Sequence, residues 1–76
     1  LVCAADKLHN IRAIIADFRE LGPKLWKRFD GGEDGTLWYY RGVADRLNAA
    51  GTSRLTQELS RAVAELEALV AADQRQ

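Results

Sequence analysis

The apolar residues of this chain recur at helical spacing almost from end to end. Leu8, Ile11, Ile15 and Phe18 are separated by steps of three and four, the interval at which side chains stack on one face of an α-helix. That stripe predicts a first helix over residues 1–21. Gly22-Pro23 ends it, because Gly suits the position after a helix C-terminus and Pro the first turn of the next helix. A short second helix over residues 24–29 then presents Leu25, Trp26 and Phe29, and the acidic, glycine-rich stretch 30–35 reads as a loop. A third helix over residues 36–49 turns Leu37, Tyr40, Val43, Ala44 and Leu47 inward and breaks at Gly51. Thr52 and Ser53 are candidate caps for the last and longest helix, which takes up the remainder of residues 52–76. Within it Leu55, Leu59, Ala62, Leu66 and Leu69 alternate steps of four and three, and Val63 and Val70 widen the stripe. The stripe is too short for an autonomous coiled coil, so it predicts docking onto the same domain or onto a twin chain. No strand-like alternation and no repeat is present. The expected fold is all-α, a single small bundle of about four helices.

Composition narrows the picture. A chain of 76 residues makes one domain at most, and its 47% apolar and 29% charged shares are those of a folded chain. Eleven Lys/Arg balance eleven Asp/Glu, which removes the basic field that nucleic-acid binding relies on, so nucleic acid is not an expected partner. The single Cys3 cannot form an internal disulfide, and the apolar runs are too short to span a bilayer, which points to a reducing cytoplasm and away from a membrane. Cys3 lies in an apolar run without an adjacent base and is expected to be a buried, inert thiol. The sequence has no Met and opens on Leu1-Val2-Cys3-Ala4-Ala5, with neither cap nor charged flank. It reads as the middle of a helix, and a segment of a longer protein is expected.

Candidate chemistry lies on the first helix. Asp6, Asn10, Ala13 and Asp17, at steps of four, three and four, share a face nearly opposite the apolar stripe. From periodicity alone this is the solvated side of an amphipathic helix. The string Ala5-Asp6-Lys7-Leu8-His9-Asn10-Ile11-Arg12 changes the weighing, because it resembles the last motif of the HD superfamily of metal-dependent phosphohydrolases. It is most similar to the RelA/SpoT-like guanosine polyphosphate hydrolases. Asp17-Phe18-Arg19, Gly22, Leu25-Trp26, Arg28-Phe29 and Leu37-Trp38-Tyr39-Tyr40-Arg41 resemble the sequence that follows the motif in small stand-alone HD proteins. The likeness covers about the first 48 residues, within a 1–50 segment that would correspond to the C-terminal part of an HD domain, and fades in the final helix.

The resemblance implies a divalent metal, Mn²⁺ above all, held by a His, a His-Asp pair and a later Asp; the last corresponds to Asp6. A carboxylate oxygen suits such a hard cation. Asn10 matches a position that helps contact bound nucleotide, and Lys7 stands where many relatives have Arg, keeping the charge without the planar fork. The His and His-Asp ligands precede this motif in the family and have no counterpart in the chain, whose one histidine is His9. The resemblance therefore implies an incomplete site, with a missing N-terminal part of the domain as partner and an isolated chain that binds no metal tightly and is inactive. Two ligands on one helical turn, Asp6 and His9, make a weak site, so a structural or surface role is expected for His9. Residues 30–35 lack the alternating oxygens and terminal Glu of a calcium loop. Trp26, Trp38, Tyr39 and Tyr40 are expected to pack the helices together, with their polar ends at the surface. A second reading is a non-catalytic helical module that self-associates as a homodimer through Leu1, Val2, Cys3 and the Leu55-to-Val70 stripe.

Overall fold

The computed structural model describes residues 3–74. Leu1, Val2, Arg75 and Gln76 lie outside the described residues, and with them the expected helix start at residue 1, the Leu1-Val2 part of the apolar patch and the expected end of the last helix. The order of elements is α1 (Ala4–Leu21), a 3₁₀ segment (Gly22–Arg28), α2 (Gly32–Ala50) and α3 (Arg54–Gln74). The described residues are all-helical as expected, but form three α-helices and one 3₁₀ segment in place of about four helices.

α1 follows Cys3, whose extended backbone (φ −99°, ψ 124°) precedes the first helical turn without a side-chain cap. Cys3 is exposed, not buried as expected, because it stands outside the helix and its apolar stripe. Leu8, Ile11, Ile15 and Phe18 are buried, joined by Ile14, which widens the stripe in the way a core-facing helix requires. Gly22 closes α1 at φ 64°, donating its N–H to the Phe18 carbonyl. Pro23 then seeds the 3₁₀ segment, which buries Leu25. The expected helix at 24–29 is thus a tighter 3₁₀ turn. It starts at the glycine and stops before Phe29, whose backbone is extended (φ −115°, ψ 131°).

The loop expected at 30–35 is largely helix. Gly31 takes the left-handed conformation (φ 83°) and caps α2, which begins at Gly32, while Glu33 and Asp34 occupy the first turn, where acidic side chains favour the helix dipole. The glycines that suggest a loop supply the sharp entry, and the acids that suggest solvent stabilise the turn. Thr36, now inside the helix, donates its hydroxyl to the Gly32 carbonyl at 2.8 Å.

Ser53 and Thr56 form a reciprocal cap at the start of α3. The Thr56 N–H donates to Ser53 Oγ at 3.2 Å and the Ser53 N–H to Thr56 Oγ1 at 2.8 Å. Thr52, the other candidate, instead donates its hydroxyl to the Asn48 carbonyl at the end of α2. α3 lies along both other helices. Leu59, Ala62, Val63, Leu66 and Val70 are buried against α1 and α2, whereas Leu55 and Leu69 are only partly covered. The α3 stripe therefore finds its partner within the chain. Polar ties fix the packing at its edges: Arg41 forks onto Glu67 at 3.2 and 2.6 Å, and Asn48 donates to Ser60 Oγ at 2.7 Å.

Candidate functional site

The first turn of α1 holds Asp6 outward. Its side chain is 65% exposed, because the positions of its own turn that face the core begin only at Leu8. Lys7 is drawn the other way, toward α2. Its ammonium lies 4.0 Å from Asp6 Oδ2 and 5.5 Å from the centre of the Tyr39 ring. The hydroxyl of Tyr39, more than the Asp6 carboxylate, holds the Lys7 ammonium above its ordinary pKa of 10.5. Tyr39 in turn meets Tyr40 edge to face, with ring centres 5.1 Å apart. Tyr40 is buried, and burial raises its phenol above the ordinary 10.0 while Lys7 pulls it back.

Asn10, one turn after Asp6, is half-buried and makes no side-chain hydrogen bond among the described residues. Asp17, two turns further along the same face, is half-buried and His9 is exposed. The structure brings Asp6 and Lys7 together and leaves Asn10 on the following turn.

These residues do not fit a complete metal centre. No group of three or more His, Cys, Asp or Glu side chains converges among the described residues. A metal at Asp6 would have one carboxylate, with the Lys7 ammonium as a competing positive charge. Divalent cations are held selectively only by several ligands at once.

The aromatic residues depart from expectation. Trp26 packs as anticipated, its ring centre 5.6 Å from Phe18 and 6.0 Å from Phe29, but its indole N–H is buried without a hydrogen-bond partner among the described residues and does not reach the surface as expected. Trp38 stands away from the helix packing at 75% exposed, whereas Tyr39, 43% exposed, still meets α1 through Lys7. Together with Phe29, Thr36 and Tyr40 they line an open cavity of about 510 Å³, within the size range of small-molecule sites. The Trp38-Tyr39-Tyr40 string contained this signal, since three successive aromatics on a helix point about 100° apart and cannot all face one core. A second, smaller cleft of about 390 Å³ runs between α1 and α3. It is spanned by the ion pairs Arg12–Glu58 at 3.8 Å and Arg19–Glu65 at 3.0 Å, so its charges largely satisfy one another.

No helix of the described residues is long and apolar enough to cross a membrane. No family model matches the chain, and no curated protein or solved structure is similar enough to it to lend it a fold or an activity.

Proposed function

We propose that this chain is the C-terminal part of an HD-type metal-dependent phosphohydrolase acting on a nucleotide phosphate or pyrophosphate, of the guanosine polyphosphate hydrolase type. In this reading the helical bundle is the end of an HD-like domain. Asp6 supplies one oxygen ligand to a divalent metal, and Lys7 and Asn10 meet the substrate. The observation that carries it is Asp6 itself: the residue that matches the motif's carboxylate stands exposed on the first turn of α1, unused by the core. Lys7, anchored against Tyr39, presents an ammonium with three donors beside it, suited to phosphate oxygens. The remaining ligands would come from the missing N-terminal part of the domain, so no catalytic step is assigned to the residues described, and the isolated chain is expected to be inactive.

The alternative is a non-catalytic helical module that self-associates through Leu1, Val2, Cys3 and the Leu55-to-Val70 stripe. Leu59, Ala62, Val63, Leu66 and Val70 of that stripe are already buried within the chain, so no observation favours this reading.

The test is the DNA upstream of the Leu1 codon and the protein it encodes. An open frame carrying a His and then a His-Asp pair is expected, and its product should hydrolyse nucleoside polyphosphates with Mn²⁺. Asp6→Ala should lower kcat/KM by about a hundredfold or more, the scale on which metal sites respond to lost ligation. An upstream frame without those residues, or an Asp6→Ala enzyme of undiminished activity, would overturn the reading.

A further inference from the structure

We infer that the cavity beside Trp38 and Tyr39 is a nucleobase subsite, taking the planar base of a nucleoside phosphate whose phosphates lie at Lys7. The inference rests on the hydrolase reading for the position of the phosphates, and it adds where and how the base is held.

Three observations carry it. The first is the state of Trp38. Every other large aromatic of the chain has a ring or core neighbour, whereas Trp38 leaves an indole 75% exposed at the rim of a cavity of about 510 Å³. An indole face in water is a platform for another π-system, and base–aromatic stacking is tolerant of which base is offered.

The second is preorganisation. Tyr39 is fixed from two sides, by Lys7 at 5.5 Å from its ring centre and by Tyr40 edge-on at 5.1 Å. A ligand entering the cavity meets a wall that is already in place, which reduces the ordering cost of binding.

The third is distance. The path from Asp6 through Lys7 to the Tyr39 ring takes two short steps, 4.0 Å and 5.5 Å. Lys7 does not itself line the cavity, but the Tyr39 ring that lines it is 5.5 Å from the ammonium, so a nucleotide with its base against that ring would carry its phosphates toward Lys7.

Charge separates this occupant from two others. A nucleic-acid strand gains from an overall basic field, and eleven positive against eleven negative side chains leave none. A quaternary ammonium would suit aromatic walls and the Asp30 carboxylate at the rim. The Lys7 ammonium already at Tyr39 repels it and attracts a phosphate instead.

The test is an NMR titration of the 76-residue chain with nucleoside 5′-diphosphates, with pyrophosphate and with tetramethylammonium, following the two indole N–H signals. Nucleoside diphosphates should shift the Trp38 signal saturably and leave Trp26 in place. Pyrophosphate should bind more weakly and move only signals around Lys7. Trp38→Ala, at a position too exposed to disturb the fold, should weaken nucleotide binding by roughly five- to a hundredfold, the span of base stacking. It should leave pyrophosphate unchanged, and Trp38→Phe should recover most of the loss.

Equal affinity for nucleotide and pyrophosphate, indifference to Trp38→Ala, or preferential binding of tetramethylammonium would each overturn the subsite. The parent reading fails separately, when the upstream-extended protein lacks hydrolase activity. Base-dependent, Trp38-dependent binding would then remain as a nucleotide site without hydrolysis.

Discussion

Periodicity gives Leu59, Leu66 and Leu69 of α3 the same weight, but the structure ranks them. Leu59 and Leu66 are 0% exposed, while Leu69 is only partly buried at the edge of the core. Truncating Leu59 to Ala removes the equivalent of three carbon groups from an enclosed site, about 2.4 kcal/mol at ~0.8 kcal/mol each. The cavity left between the three helices cannot fully collapse, since α1 and α2 both close on this point, which raises the cost to about 3–4 kcal/mol. Leu69→Ala leaves a gap that water can reach, and should cost about 1–2 kcal/mol. Against a total stability of about 4–11 kcal/mol for a chain of this length, the first change removes a large fraction and the second does not. Urea unfolding followed by circular dichroism measures both. The Leu59→Ala and Leu66→Ala midpoints should fall by about 2 M and that of Leu69→Ala by less than half as much. Equal losses at the three positions would refute the packing of α3 described above.

Four further outcomes follow from named contacts. The share of stability held by Tyr40 and Lys7 should be level up to about pH 10 and fall above it, because the folded state keeps its protons on both after the unfolded chain has begun to release them; thermal melts across the alkaline range, with phenolate absorbance, measure this. Ser53→Ala removes the acceptor for the Thr56 N–H and should cost about 1 kcal/mol in chemical denaturation. Gly31→Ala forces a Cβ into a left-handed residue at φ 83° and should cost about 1–2 kcal/mol in the same assay. The Arg41–Glu67 fork is short, but its side chains are 37% and 38% exposed, so a double-mutant cycle should return a coupling below about 1 kcal/mol.

The core of each helix was legible because burial demands a periodic stripe. Ile11, Ile15, Val43, Leu59 and Leu66 are the residues that spacing selects and that the structure buries. The start of α2 was not, since one glycine-rich string serves a loop or a helix entry equally well. Which of the two it serves depends on Gly31 being free to take positive φ and on the acids at Glu33 and Asp34 arriving in the first turn. Ile14 was missed although it lies three residues after Ile11 and four before Phe18, because one stripe was traced through Ile15 while the buried face is broad enough to take both. At the candidate site, Asp6 and Asn10 could be placed on a common helix face. The tie from Lys7 to Tyr39 could not, because it joins residues on different helices and no local period encodes it.

That tie gives the candidate site its causal order. Gly22 and Pro23 turn the chain at the end of α1, the 3₁₀ segment anchors the turn by burying Leu25, and Gly31 reverses the backbone into α2. Only with both turns in place does the second turn of α2 come back beside the first turn of α1, which sets Tyr39 against Lys7. The ammonium is then held between a phenol and a carboxylate, and Asp6 has one charged neighbour among the described residues and a side chain 65% exposed. A carboxylate in that position can give up a weak pairing at 4.0 Å for a better cation, because the ammonium retains its contact with Tyr39 when Asp6 is engaged elsewhere. The two glycine turns therefore shape the candidate site as much as the motif does: they separate the contacts of adjacent residues, setting Lys7 against Tyr39 and leaving Asp6 exposed.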